Sequence, residues 1–270
     1  LSSENIDGYF TTPQIIDIPT ERVMQVVAGE GQYVYVTSNG HVYGKGSMLN
    51  GIIPNLTDAV KAEIGDGYIL ILRQDGKIYT YVDEILTRAQ IASKLEVESN
   101  AVILIDTSGE STKTEEDVEE EIDPDEEYVD PELLPDGTYK KYSFIRLIPV
   151  SNVNNAIDMS VSGNVNMYQS VDEKTYTWGT NTEGQLGDTS TAYRATPVKP
   201  LQNSDNVFTI GAGINNTFIV LNTGYAYAAG NNTYGELGCG IRNVEDTTIK
   251  VDGTEEVISI SDAGLSLINM

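Results

Sequence analysis

The sequence predicts an all-β protein of the β-propeller type, on three observations. A nine-residue phrase occurs twice, as Gly179-Thr-Asn181-Thr-Glu-Gly184-Gln-Leu186-Gly187 and as Gly230-Asn-Asn232-Thr-Tyr-Gly235-Glu-Leu237-Gly238. Short apolar runs alternate with Gly- and Asn-bearing turns along most of the chain. Residues 12–46 align with residues 196–230 without a gap, so that Thr12-Pro13, Val23, Ala28-Gly29, Val36, Gly40, Tyr43 and Gly46 recur as Thr196-Pro197, Val207, Ala212-Gly213, Val220, Gly224, Tyr227 and Gly230. A period of about forty to fifty residues made of short strands and tight turns marks an array in which each unit is one supersecondary module.

The duplicated phrase is a loop before it is anything else. Its three glycines call for positive φ or close backbone approach at fixed points, and Leu186 or Leu237 supplies the apolar anchor. Gly179, Asn181, Gly184, Leu186 and Gly187, with Gly230, Asn232, Gly235, Leu237 and Gly238, are therefore expected to be structural repeat positions. A catalytic loop is seldom duplicated, and no Lys-Ser/Thr or helical pattern follows these glycines to make a phosphate cradle.

In chain order, residues 1–11 correspond to the loop after the phrase, with Tyr9 opposite Tyr193. The first unit gives strands near Met24 to Val27, Tyr33 to Thr37 and His41 to Tyr43, with a Ser38-Asn39-Gly40 hairpin turn. The second gives Ala59 to Ile64, Tyr68 to Leu72 and Lys77 to Tyr81. Five consecutive apolar residues from Tyr68, between Gly65-Asp66-Gly67 and Gln74-Asp75-Gly76, suit a strand covered on both faces. A third unit is expected to keep its middle, Ala101 to Ile105, and to resume at Thr138 to Phe144 after an acidic insertion at 110–137. The fourth runs from Ile148-Pro149 to Trp178, and the fifth contains Val207 to Ile210, Phe218 to Leu221 and Tyr225 to Tyr227. A sixth opens with Thr248-Ile249 and Val257 to Ile260. The expectation is thus a single propeller domain over 1–270 with five to six recognisable units. About twenty residues of a repeat are left unsupplied, which is expected of part of a larger protein with a six- or seven-bladed ring, with a strained or incomplete closure within this chain as the alternative.

The pattern W-G-x-N-x-x-G-Q-L-G, then T-P, then V-x-x-I-x-x-G, a strand, and x-x-G-x-x-Y resembles the repeat of the regulator of chromosome condensation family. Trp178 to Gly187 carries the motif almost in full, and Gly230 to Gly238 departs chiefly by Glu236 in place of glutamine. The resemblance covers residues 140–270 well, 9–81 moderately and 82–139 weakly. It implies a propeller that acts by binding. Family members include a nucleotide exchange factor for a small GTPase that also binds chromatin, and a secreted bacterial inhibitor of β-lactamases. The contacts for those activities lie in variable loops, and none carries over to a residue here.

Charge narrows the partners. The net charge is −25, from 41 acidic and 16 basic residues, and residues 110–136 hold fourteen of the acids with one base, Lys113. A scaffold acidic throughout repels nucleic acid and anionic lipid, which are held mainly by Lys and Arg clusters. No apolar run approaches the roughly eighteen residues of a membrane helix, so direct membrane insertion is not expected. The single cysteine, Cys239, excludes an internal disulfide framework.

Within the insertion, Asp123, Asp125, Glu126 and Asp130 are candidate partner-binding residues. The segment reads first as a solvated loop, with a dock for a basic partner or a calcium site as the alternatives. It lacks the D-x-D-x-D-G spacing of a dedicated calcium loop. The only histidine, His41, and Cys239 are expected to be ordinary strand and loop residues, leaving no zinc set and no resident cofactor. Tyrosine outnumbers the other aromatics, sixteen against four phenylalanines and one tryptophan. Tyr9, Tyr193 and Tyr234 fall in loops, where a rigid amphipathic ring suits protein or sugar recognition.

These readings favour a non-enzymatic protein-interaction or adhesion module, of a secreted or surface-attached bacterial protein. An intracellular regulator of a small GTPase-like partner, cytoplasmic by location, and a carbohydrate-binding propeller are the alternatives.

Overall fold

In the computed structural model, residues 21–87, 90–91, 93–94, 102–105, 142–200, 202, 204–240 and 245–251 are described. They build four antiparallel sheets, each begun by a strand–turn–strand meander. The first holds β1 (Val23–Gly29), β2 (Gln32–Thr37), β3 (Val42–Lys45) and β4 (Gly51–Ile52). The second holds β5 (Ala59–Gly65), β6 (Tyr68–Arg73), β7 (Ile78–Leu86), β8 (Val102–Ile105) and β9 (Tyr142–Pro149). The third holds β10 (Ala156–Ser162), β11 (Val165–Ser170), β12 (Thr175–Gly179) and β13 (Arg194–Val198). The fourth holds β14 (Val207–Ala212), β15 (Asn216–Leu221), β16 (Ala226–Gly230) and β17 (Glu245–Lys250). No helix among the described residues is long and apolar enough to cross a membrane.

Successive sheets stack in one repeating way. The first strand of each sheet packs on the first and second strands of the sheet before it: β5 on β1 and β2, β10 on β5 and β6, β14 on β10 and β11. The second strands are therefore covered on both faces, and β11 is buried along its whole length. The core is correspondingly a series of seams. Val34, Val36 and Val42 meet Ala62, Ile64 and Ile71 between the first two sheets. Leu70, Leu72 and Ile78 meet Met159, Val161 and Trp178 at the next seam, and Val165, Met167 and Leu186 meet Ile210, Ala212 and Ile219 at the third. Each fully buried aliphatic side chain contributes about 1.5–3 kcal/mol by its removal from water.

Polar side chains latch each first strand to the next. Gln25 Oε1 accepts from Ala62 N (2.9 Å), Lys61 Nζ donates to Met159 O (2.5 Å) and to Asp158 Oδ1 (2.8 Å), and Ser160 Oγ accepts from Ala212 N (2.9 Å). Burial by itself would lower the Lys61 ammonium, but the Glu63 and Asp158 carboxylates beside it outweigh that and hold it above its ordinary value. The backbone repeats the linkage, with Ala59 N donating to Gly40 O, Ala156 N to Gly76 O and Val207 N to Glu173 O.

Of the expected strand at Ala101 to Ile105, the described part, Val102 to Ile105, does not form a blade apart from the second sheet. β9 pairs with β7 from Tyr79↔Pro149 to Leu86↔Tyr142, and β8 pairs with the far side of β9, so both extend the second sheet. The cause is the length of β7, nine residues where β3, β12 and β16 have four or five. A long third strand offers a full edge for an eight-residue partner. The apolar run at 102–105 takes the open far edge of β9. Thr248-Ile249, expected to begin a sixth unit, lies in β17 and completes the fourth sheet. Val257 to Ile260 lies outside the described residues.

Candidate interaction face

Because the sheets are meanders, the turns between first and second strands and the loops between third and fourth strands emerge at one end, here termed the upper face. The two copies of the repeated phrase form two of these loops. Gly179 and Gly230 hold φ of 107° and 112°, and a Cβ on either would stand 1.9 Å from Asn164 O or 2.2 Å from Asn215 O. Only glycine permits this crossing, where Thr180 N donates to Asn164 O and Asn231 N to Asn215 O.

Asn181 and Asn232, both buried, then tie each loop to itself. Their Oδ1 atoms accept from Leu186 N (2.9 Å) and Leu237 N (3.0 Å). Asn181 Nδ2 donates to Asp188 Oδ1 (3.0 Å) and Ser190 O (2.9 Å), whereas Asn232 Nδ2 donates to Cys239 Sγ (3.3 Å). Cys239 thus occupies the place of Asp188. Gly184, Gly187, Gly235 and Gly238 each donate their N–H to the carbonyl three residues back, and Leu186 and Leu237 are wholly buried beneath. Glu236 does the work of Gln185: Oε2 of the one accepts from Tyr234 N (2.8 Å), Oε1 of the other from Glu183 N (2.9 Å).

These braced loops present apolar and aromatic groups to solvent. Tyr193 is 68% exposed and Tyr234 82%, and Ile214, on the β14–β15 turn of the same face, is 67% exposed. Ile214 is the residue the sequence reading missed; a branched apolar side chain within a Gly-x-Asn-Asn turn was the available signal. Tyr193 lies near Tyr68, whose hydroxyl donates to Asn166 Oδ1 (2.7 Å). Burial pushes the Tyr68 hydroxyl up to about 12, opposed by the Asn166 hydrogen bond and reinforced by Tyr193 and Asp66. Around the loops stand Asp66, Glu183 and Glu236. The acidic insertion attaches here as well, since Ile105 and Tyr142, the described residues on either side of it, lie at the upper ends of β8 and β9. Asp123, Asp125, Glu126, Asp130 and Tyr9 lie outside the described residues.

The other candidates are held in structural contacts. His41 Nδ1 donates to Glu21 (2.7 Å to Oε1), and Thr37 Oγ1 donates to the same carboxylate (2.5 Å). Thr37 first, then His41, hold Glu21 below the ordinary carboxylate value. With Thr37 donating to the acid and not to the imidazole, this trio is not a nucleophile–base pair. Among the described residues no cluster of three or more His, Cys, Asp or Glu is placed to hold a metal ion. At the opposite, lower end, each first strand carries a bulge at one register position, and the extra residue is apolar and half exposed in all four: Met24, Val60, Ile157 and Phe208.

Comparison with known proteins gives the same architecture. The model of the regulator of chromosome condensation (RCC1) repeat matches residues 172–220. Among solved structures, that of Kap60 bound to yeast RCC1 (Prp20) superposes with a TM-score of 0.59 at 16% identity, covering 92% of this chain and 52% of that one. Prp20p from Saccharomyces cerevisiae, with binding properties to Gsp1p and histones, gives 0.59 at 16% identity over 92% and 54%. Human WBSCR16 gives 0.57 at 16% identity over 91% and 57%. This chain therefore spans about half the length of the solved structures it resembles. It is an RCC1-like β-propeller chain, carrying an RCC1 repeat at residues 172–220.

Proposed function

We propose that this chain is a non-enzymatic protein-interaction module whose upper face receives a basic partner. The observation that carries this reading is the set Tyr193, Ile214 and Tyr234, exposed on loops whose backbones are fixed by buried Asn, Leu and Gly positions. Rigid amphipathic rings give contact area at small entropic cost, and the surrounding carboxylates, with the chain's net charge of −25, favour a partner of opposite sign. The secreted or surface-attached, adhesive setting, of bacterial origin, rests on composition: acidic, rich in Asn and Tyr, and with one cysteine.

The second reading, a regulator of a small GTPase-like partner, is favoured by the likeness to Prp20p, a protein with binding properties to Gsp1p. Crosslinked capture separates the two, using the chain and its Tyr193→Ala/Tyr234→Ala double variant against cell-surface and cytosolic extracts. The first reading expects a basic surface protein that the double variant loses at least tenfold while its melting temperature stays within about 2 °C. A cytosolic GTPase captured with the same dependence supports the second reading. Equal capture by both chains would remove the upper face from consideration.

A further inference from the structure

The lower end carries a row of apolar side chains that neither the seams nor the interaction face uses. Met24, Val60, Ile157 and Phe208, one at the bulge of each first strand, are 59%, 47%, 51% and 50% exposed. Two residues further along three of these strands, Ala62, Met159 and Ile210 are buried in the seams. The bulge separates the two sets, because its extra residue drops out of the pairing that aims its neighbours at the adjoining sheets. Val171, on the β11–β12 turn at the same end, is 66% exposed. Charge at this end also differs from the rest of the chain. Asp58 is paired with Arg73 (2.7 Å), Asp158 with Lys61 (2.8 Å), Asp205 with Lys199 (2.8 Å) and Asp172 with Lys174, while Glu21 is met by His41 (2.7 Å). Arg22, Lys77 and Lys250 stand there against Asp75 and Glu173. The upper face, by contrast, shows Glu30, Asp66, Glu183 and Glu236 with Lys45. In a chain of net charge −25, the lower end is therefore a charge-balanced surface.

We propose that the lower end is a self-association surface, on which a second copy of this chain docks face to face. Two copies at −25 each repel wherever unpaired like charges meet, so the balanced, apolar end is where contact costs least. Two identical chains set face to face are related by a two-fold axis lying in the plane of contact, and that axis reverses the order of the sheets. Successive sheets follow one another by a single step, so the row runs Met24, Val60, Ile157, Phe208. Reversal sets Met24 of one copy against Phe208 of the other, and Val60 against Ile157. Every side chain of the row then meets an apolar one. The competing arrangement is a head-to-tail stack, with the acidic upper face of one copy on the lower end of the next. Such a stack grows without closing and weakens as salt is added, whereas the face-to-face pair closes at two and tightens as salt screens the repulsion.

The test is sedimentation equilibrium of the intact chain at about 5 to 200 µM, in about 0.05 and about 0.5 M sodium chloride. A monomer–dimer equilibrium in the micromolar range is expected, tighter at the higher salt. Met24→Lys and Phe208→Glu are each expected to weaken it at least about tenfold, since each sets a charge against an apolar side chain. An equimolar mixture of the two variants is expected to form dimers again, because one reversed contact then joins an ammonium to a carboxylate and the other is unaltered. Both residues are half exposed, and melting within about 2 °C of the parent chain shows that each variant is folded. If either does not fold, Val60→Glu and Ile157→Lys make the same test at the inner pair. A monomer under every condition, growth beyond two, loosening with salt, a dimer that neither variant weakens, or a mixture that stays monomeric would each overturn the proposal. Tyr193 and Tyr234 take no part in this contact, so the outcome is independent of the reading of the upper face.

Discussion

At the scale of single residues, the two copies of the phrase are a natural comparison of one asparagine in two settings. Where Asn181 Nδ2 meets the Asp188 carboxylate, Asn232 Nδ2 meets the Cys239 thiol, a weaker acceptor, at the equivalent place. Asn181→Ala is expected to cost about 2–3 kcal/mol and Asn232→Ala about 1–2 kcal/mol, measured by urea unfolding. Equal costs would show that the Oδ1 bond to the leucine N–H carries the whole effect. Asp188 adds a dependence on pH. Burial would push its carboxyl up, but hydrogen bonds from Ser190, Arg194 and Asn181 prevail and hold it below 3.8. Its contribution to stability is therefore complete above the unfolded value of 3.8 and is lost as pH falls through the lower native value. Asp188→Asn should flatten the acid limb of a stability profile below about pH 4 and leave the neutral region parallel.

The middle scale is that of strands and loops, where the recurring bulge divides residues that sequence alone makes look alike. Ile157 is 51% exposed at the bulge of β10, and Met159, two residues on, is fully buried. Ile157→Ser is expected to change stability by less than about 0.5 kcal/mol, and Met159→Ala to cost about 2–4 kcal/mol, in the same denaturant titration. A regular, unbulged strand would place both side chains on one face, and the two losses would then converge. An apolar residue follows the opening Val or Ala of the first strand in each of the four sheets. That regularity was visible beforehand, but only the shifted pairing shows which of the apolar positions faces solvent.

For the whole molecule, the second sheet determines how the acidic segment can be tolerated. The segment joins β8 to β9, adjacent antiparallel strands whose upper ends lie side by side, so a short turn can replace it without moving either strand. Removing residues 112–135 should leave one cooperative unfolding transition within about 3 °C of the intact chain, by calorimetry. A broadened or split transition would assign the segment to the core.

The division between what was legible and what was not follows from the range of the interactions. Strand type, turn positions and the roles of Gly179, Asn181, Leu186 and their counterparts are local: they depend on φ, on hydrogen bonds within nine residues and on one apolar anchor, so a repeated spacing is enough to reveal them. The attachment of 102–105 to the second sheet depends on how long β7 runs and on which edge stands open, and neither is a property of the apolar run itself. The same holds for the gathering of Tyr193, Ile214 and Tyr234 on one face and of Met24, Val60, Ile157 and Phe208 at the other. Composition and periodicity by themselves determined a propeller of RCC1-like units. Only the stacking of sheets decided which edges pair and which groups are left facing solvent, because burial and pairing are set by neighbours remote in sequence.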